Sequence, residues 1–350
     1  MKKIFLMMLL LMTFVFSGCQ AATKAEDSQG VKGDLKISML NIGHGDAILI
    51  RTNEQTILID AAHSKYRDML VKELEKLSVT KIDKLILTHP HIDHIGNARV
   101  LINPNKKDFA AYPYFEKISV TEVYDNGIAY GSDVYKGYMK AIQTKGISLK
   151  SLKAGDTLDF GNSVKFKVLF PTSEFVAAKN GGQYDKKDKA YKTNNCSIVG
   201  KLIYKDFSMM FTGDCEKESE AKIVANNTAA DLKCDVLKSG HHGILTSSTK
   251  KFVEAVNPSC VVISSSHKEQ ESYVAPGRPH LKVLENYLAC GVDPKNIYGT
   301  RFNGTITITT DGKSFSVQPE VKKDWVESWI AGKKEDEKHK KQPIDLGEED

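Results

Sequence analysis

The chain has 350 residues, 49 lysines and arginines against 44 aspartates and glutamates, 41% hydrophobic and 27% charged residues. That composition excludes a wholly disordered or collagen-like chain, and the length suits one large α/β domain or two small ones. A formal net charge of +5 accommodates an anionic substrate without requiring a nucleic-acid partner.

Lys2 and Lys3 precede an almost unbroken apolar run from Ile4 to Phe16. A basic start and an apolar run too short to span a membrane predict a secretory signal over residues 1–18. The run ends in Phe16-Ser17-Gly18-Cys19, which resembles a bacterial lipobox. The resemblance implies cleavage before Cys19, a diacylglycerol on its sulfur, and an exported protein anchored to the cell membrane with its domain outside the cytoplasm. Residues 19–33 read as a flexible tether, because they are small, polar and charged. No later segment approaches ~20 continuous apolar residues, so the rest reads as soluble. Five cysteines remain (Cys196, Cys215, Cys234, Cys260 and Cys290), an odd number with no C-x-x-C pair. They are expected to be buried small apolar residues, not disulfides or a cysteine zinc site.

Period-two apolar runs predict strands at Lys36–Leu40, Ala47–Ile50 and Thr56–Ile59. Met69, Leu70, Leu74 and Leu77 mark a helix over Tyr66–Leu77. A short strand at Leu85–Leu87 runs into a histidine-rich turn, followed by a helix over Gly96–Ile102. Residues 105–140 crowd Phe109, Tyr112, Tyr114, Phe115, Tyr124, Tyr130, Tyr135 and Tyr138 together, with a helix over Asp133–Thr144. Strands follow near Leu158 and over Lys165–Leu169, then a long polar loop over 178–195. Ser197–Tyr204 and Phe207–Phe211 form a hairpin. Helices at Glu216–Val224, Lys250–Ala255 and Leu281–Ala289 then alternate with strands at Asp235–Lys238 and Val261–Ser264. A terminal hairpin pairs Thr305–Thr309 with Ser314–Val317. Alternating strands and helices with hairpins at each end argue for α/β layers around mixed sheets. Residues 34–318 are read as the domain. Residues 319–350 are read as a short helix, its Trp325 and Trp329 packing on the domain, and a solvated charged tail from 333.

The chemistry concentrates in residues 85–97, LILTHPHIDHIGN, where His89, His91, Asp93 and His94 fall within six residues after an apolar strand. Imidazole nitrogens with a carboxylate oxygen are the donors of zinc and related divalent ions. At a strand end, a turn can bring alternate residues onto one small volume.

Here the sequence resembles the metallo-β-lactamase superfamily, whose signature H-x-H-x-D-H is matched in full. The resemblance extends over most of residues 34–318. Asn41-Ile42-Gly43-His44-Gly45-Asp46-Ala47 with Ile57-Leu58-Ile59-Asp60 resembles the opening hairpin, and Phe211-Thr212-Gly213-Asp214 resembles the metal-bridging aspartate. Leu237-Lys238-Ser239-Gly240-His241-His242-Gly243 resembles the turn of one branch, which includes the hydrolase domain of ComEC-type DNA-uptake proteins and a choline-phosphate esterase; Asn194-Asn195-Cys196-Ser197 and Pro279-His280 also fit it.

The resemblance implies an αββα sandwich of two mixed sheets flanked by helices, holding two divalent ions, zinc or alternatively manganese. His89 and His91 would hold the first ion; Asp93, His94 and one of His241 and His242 the second, with His242 favoured; Asp214 would bridge them. His241 would then contact substrate phosphate or the leaving group, the reverse assignment staying open. Asp93 would orient hydroxide, His280 would protonate a leaving oxygen or bind phosphate, and Asp60 would orient a ligand histidine. No histidine lies between His94 and His241, where many members carry one, so Asn195 or water would complete the first site. His44 stands where the branch has glutamine, and it reads either as an extra polar group at the site rim or, favoured, as structural; Ala61-Ala62 follows Asp60 in place of a glycine. The implied activity is metal-dependent hydrolysis of phosphodiester bonds, with DNA a candidate substrate. Two alternatives stay open: cleavage of choline-phosphate from envelope polymers, for which the 109–138 aromatics would form a cage, and a lipid-anchored binding protein without turnover. No protein partner is inferred.

Overall fold

The computed structural model describes residues 33–183, 185–266 and 278–341. The signal, Cys19 and nearly all of the tether lie outside the described residues. Six strands open the first sheet: β1 (Leu35–Met39), β2 (Ile48–Arg51), β3 (Thr56–Ile59), β4 (Lys81–Ile86), β5 (Ser119–Asp125) and β6 (Ser148–Ser151). The second sheet holds β7 (Thr157–Asp159), β8 (Lys165–Phe170), β9 (Val199–Tyr204), β10 (Phe207–Phe211), β11 (Val236–Lys238), β12 (Cys260–Ile263) and β13 (Ile297–Gly299). The chain then returns to the first sheet as the hairpin β14 (Ile306–Thr310) and β15 (Phe315–Pro319), giving the orders β15-β14-β1-β2-β3-β4-β5-β6 and β13-β12-β11-β10-β9-β8-β7. Both sheets are mixed. β3 to β6 run parallel in one, β10 to β13 in the other, and the remaining neighbours are antiparallel.

Alternation along the strands builds three apolar layers. Ile48, Ile50, Ile57 and Ile59 face Met209, Phe211, Val236 and Val262 between the sheets. Leu49, Leu58 and Leu85 point outward under α1 (Arg67–Lys76), α2 (Ile92–Ile95), α3 (Ala98–Ile102), α4 (Lys106–Ala111) and α5 (Asp133–Lys145). Met210, Leu237, Val261 and Ile263 point outward on the second sheet. That side carries α6 (Ser173–Gly181), α7 (Lys217–Asn226), α8 (Ala229–Leu232), α9 (Lys250–Val256), α10 (Leu281–Ala289), α11 (Thr300–Asn303) and α12 (Val326–Lys341). A sheet buried on both faces needs near-continuous apolar strands, which is why β10 and β12 read MMF and CVVI. The result is the expected αββα sandwich.

Several regions differ from the sequence reading, among them the unpredicted edge strands β6 and β13 and the three that follow. Residues 119–125, seen only as part of an aromatic cluster, form β5 inside the first sheet. The 178–195 stretch begins inside α6, which Thr172 caps by accepting from the Phe175 amide, and it closes in short turns at Lys189–Tyr191 and Asn194–Cys196. The charged segment from 333 continues α12 to Lys341. Lysine and glutamate are strong helix formers, and one end of this helix is anchored. Trp325 stacks on Phe302 at 4.0 Å, and Trp329 Nε1 donates to the Pro279 carbonyl at 2.9 Å. Cys196, Cys215, Cys234 and Cys260 are buried and Cys290 is half-buried, all as free thiols. No helix among the described residues is long and apolar enough to cross a membrane.

Candidate metal centre

The site lies where the C-terminal ends of parallel strands from both sheets meet, the usual place for ligands in open α/β sheets. β3 ends in Asp60, β4 in the 87–94 turn, β10 in Thr212-Gly213-Asp214 and β11 in Ser239 to Gly243. Backbone bonds tie these turns together: Ile198 N donates to Thr88 O at 2.9 Å across the sheets, Asp60 N to Ile86 O at 2.8 Å, and Ala61 N to His94 O at 2.7 Å. Gly45 allows closest approach: a Cβ there would lie 2.1 Å from the Asp93 carbonyl oxygen. Left-handed backbone clusters at the same place, at Asp60 (φ 61°), Ala62 (φ 55°), His241 (φ 45°) and His242 (φ 55°). Such conformations cost energy in non-glycine residues and gather at functional sites.

Ligand atoms of Asp93, His94, Asp214 and His242 all lie within 4.8 Å of one another. His94 Nε2 is 3.2 Å and His242 Nε2 3.4 Å from Asp214 Oδ2, and both also approach Asp93 Oδ2, at 3.7 and 3.3 Å. Yet both Nε2 atoms are buried without a hydrogen-bond partner, as is Asp214 Oδ1. The donors converge on a common point instead of bonding to one another. The far side of each ring is held by an acceptor. His94 Nδ1 donates to Asp60 Oδ2 at 2.8 Å, and His242 Nδ1 to the Ser264 carbonyl at 3.2 Å. This fixes the tautomer and leaves each Nε2 lone pair on the centre. Two imidazoles and two carboxylates in a buried volume suit a divalent cation.

The electrostatics point the same way. Burial alone would lower the His94 pKa, but Asp214, Asp60 and Asp93 outweigh it and hold the pKa well above the usual value; His242 is also raised, by Asp214 and Asp93 against burial. Burial opposes ionisation of Asp93 and Asp214 too, but the surrounding histidines keep both carboxyls well below their ordinary range. The cluster draws positive charge, whether as protons or as a cation.

His89 and His241 also approach Asp214, and His91 adjoins His89. His89 Nε2 and His241 Nε2 are 4.0 and 3.7 Å from Asp214 Oδ2, and His89 Nε2 is 3.1 Å from His91 Nδ1. Burial lowers the pKa of His89 well below the usual value and lowers that of His91, favouring neutral imidazoles. His241 Nδ1 is steadied by Glu216 Oε1 at 3.3 Å and Thr246 Oγ1 at 3.1 Å.

Two expected residues take other roles. Asn195 Oδ1 accepts from the amides of Glu216 and Ser219, and its Nδ2 donates to Lys189 O and Glu218, so the side chain anchors the start of α7. Its neighbour Asn194 reaches His241, at 3.3 Å. His280 caps α10: its Nδ1 accepts from the Lys282 amide, and among the described residues it has no hydrogen bond or ion pair to the cluster. Asp60 is fully buried and takes both the amide and hydroxyl of Thr88 as well as His94.

Sequence reasoning missed two groups, Lys238 and Arg278, and left a third, His44, between a structural role and the site rim. Lys238 is buried at the end of an apolar strand, its Nζ donating to Gly213 O at 2.9 Å and lying 2.5 Å from Asp46 Oδ2. Lysine in such a strand is itself the available signal. His44, favoured as structural, lies in the site wall with Nε2 3.1 Å from Asp93 Oδ2. Arg278 bonds to it from the opposite side. The aromatic cluster is mostly core, since Tyr114, Phe115, Tyr124 and Tyr138 are buried. Only Tyr130, edge-on to His91 at 6.2 Å, with Tyr135 beyond it at 6.5 Å, leads to the centre.

Two mixed sheets with helices on their outer faces define the class: the protein has the metallo-β-lactamase fold, with a His/Asp cluster at the strand ends that could hold a metal ion. The family model described as Metallo-beta-lactamase superfamily matches residues 40–163. Within that class the chain is similar to ComE operon protein 3 of Bacillus subtilis (strain 168), at 27% identity over 304 residues, covering 81% of this chain and 34% of that protein. It is similar to Recombination protein 2 of Haemophilus influenzae at 28% identity over 258 residues, covering 71% of this chain and 26% of that protein. The chain thus spans about a third or less of the length of these relatives. Among solved structures it is similar to the metallo-beta-lactamase fold protein YhfI from Bacillus subtilis, at 11% identity and a TM-score of 0.47, covering 78% of this chain and 100% of that one.

Proposed function

We propose that this chain is a metal-dependent hydrolase of phosphodiester bonds, holding two divalent ions, zinc or manganese. The observation that carries the reading is the pair of buried, partnerless Nε2 atoms of His94 and His242 facing Asp93 and Asp214. His94, His242, Asp93 and Asp214 would hold one ion; His89 and His91, with His241 near by, would hold the other. When bound, such a pair supplies a water acidified to near neutral pH and offsets the charge on phosphoryl oxygens. Asp60 and the Ser264 carbonyl keep two ligand rings in one tautomer, and Glu216 with Thr246 does the same for His241. Asp93, already accepting from His44, can take and orient the proton of the attacking water. Relatives named ComE operon protein 3 and Competence protein ComA support a DNA-related phosphodiester as substrate. We further propose export and anchoring through a lipid on Cys19, with 34–318 as the catalytic domain.

The test is metal analysis of the purified full chain with turnover of bis-p-nitrophenyl phosphate and p-nitrophenyl phosphorylcholine. The expected result is stoichiometric zinc or manganese and diester turnover, with single-stranded DNA cleaved as well. Near-zero metal with no turnover after adding either ion would overturn the reading. Turnover confined to the choline ester, and sensitive to tetramethylammonium, would move the substrate to envelope polymers.

A further inference from the structure

Beside the centre stands a guanidinium that forms no ion pair with a carboxylate among the described residues. Arg278 is only 9% exposed, and its Nε is buried without a partner among the described residues. Its Nη1 lies 3.3 Å from His44 Nδ1. Arginine offers donors only, so His44 Nδ1 accepts, and its Nε2–H is left to donate to Asp93 Oδ2. Burial lowers the His44 pKa, in keeping with a neutral ring in this relay. The acids whose charge Arg278 feels, Asp214 and Asp93, are already engaged by His94 and His242.

The position is held firmly. Pro279 packs beneath the His241-His242 turn, its Cβ 2.8 Å from where a Cβ on Gly243 would sit. The His280 amide donates to the Gly243 carbonyl at 2.8 Å, and the Pro279 carbonyl accepts from Trp329. Arg278 therefore moves as one piece with the turn that carries His242. Arginine stays charged at any physiological pH, and a buried charge is costly unless it is paired. A guanidinium that keeps an unsatisfied buried N–H next to a hydrolytic centre is matched by an anion arriving from outside, and its planar donor fork fits phosphoryl oxygens.

We propose that Arg278 is the anion-recognition residue of this site, its free donors binding the non-bridging oxygens of the substrate's phosphoryl group. The proposal rests on the phosphoester reading above and deepens it: the site takes anionic tetrahedral esters and has no such contact for neutral ones. Arg278 thereby separates the binding of the charged group from the hydrolytic chemistry of the histidines.

The experiment uses the full chain, metal-loaded, as wild type, Arg278→Gln and Arg278→Lys. Inorganic phosphate is titrated calorimetrically, and kcat and KM are measured for bis-p-nitrophenyl phosphate and for the neutral ester p-nitrophenyl acetate, with metal content as a control. In Arg278→Gln, phosphate affinity is expected to fall by about 10–100-fold, the size of a lost charge-assisted bond. KM for the diester rises in parallel and by a larger factor than KM for the acetate, while metal content stays at the wild-type level. Arg278→Lys restores part of the affinity, because it keeps the charge but loses the fork. Unchanged phosphate affinity at full metal content overturns the proposal, and so does loss of metal in Arg278→Gln, which would make the residue a support of the centre. If Arg278→Gln does not fold, Arg278→Lys decides: a fall of about threefold or more is expected, and wild-type affinity overturns the proposal. Should wild type bind phosphate through Arg278 yet cleave no diester, the anion site stands and the hydrolase reading falls.

Discussion

The centre has two halves built to different standards. On one side, His94 and His242 are fully buried, each with Nδ1 on a fixed acceptor and Nε2 on the shared point. On the other, His91 is half-buried with His89 as its hydrogen-bond neighbour, and the His241 side chain is 16% exposed and leans on Glu216 and Thr246. A ligand ring is as rigid as whatever holds its other nitrogen. The comparison teaches that the His94 and His242 rings are pre-organised by fixed acceptors, while His91 and His241, unlike the buried His89, are reached by solvent, so an inner ion held by His94 and His242 should bind more tightly than an outer one held by His89 and His91.

The largest expected effect breaks the inner half. On the two-ion proposal, His242→Ala should abolish metal binding and lower turnover by about 10³-fold or more, read by metal analysis and diester kinetics; a variant that keeps stoichiometric metal would erase the distinction between the halves. His91→Ala should lose only the outer ion, with turnover down by roughly 10²–10³-fold and the thermal midpoint unchanged. Equal metal loss in the two variants would show that the halves are one cooperative site. A subtler change sharpens the comparison: Asp60→Asn takes the negative charge from behind His94 while keeping an acceptor, and metal affinity should weaken by about 10–100-fold, measured by chelator competition.

The smallest effect lies outside both halves. Glu220 is buried in α7, where it accepts the amides of Ser248 and Thr249 at the start of α9, and burial raises its pKa from 4.5 to about 7. The folded state thus holds this proton more tightly than the unfolded chain does. Stability should fall as pH rises from 4.5 towards 7, by on the order of 1–3 kcal/mol, and level off above. Glu220→Gln should flatten that slope in urea unfolding without changing metal content; an unaltered slope would show that Glu220 is ionised throughout.

Much of the fold was legible because apolar alternation and capping are local. The strand over Thr56–Ile59 and the helix over Leu281–Ala289 fall where the pattern puts them. β5 was hidden because its Tyr124 and Val123 sit in a run of aromatics whose period is blurred, and pairing with β4 and β6 decides its state. The helical course of 333–341 was hidden because its charges suggested solvation, while the packing of Trp325 and Trp329 anchors the helix before it. In the site, His89, His91, Asp93 and His94 announce themselves, being packed into one turn. Asn194 and Asn195 look equivalent in sequence, and only the fold sends one to His241 and the other to α7.

By itself the sequence determined the dense run of candidate donors in the 89–94 turn, its strand-end setting and the alternation of the strands, since each depends on neighbours a few residues apart. Tertiary structure alone decided which nitrogen of each histidine faces the centre, that Lys238 is buried against Asp46, and that Arg278 comes to rest behind His44. The reason is physical: a ring's orientation and a charge's partner are set by groups from other strands, and chain distance carries no information about those contacts until the sheets are packed.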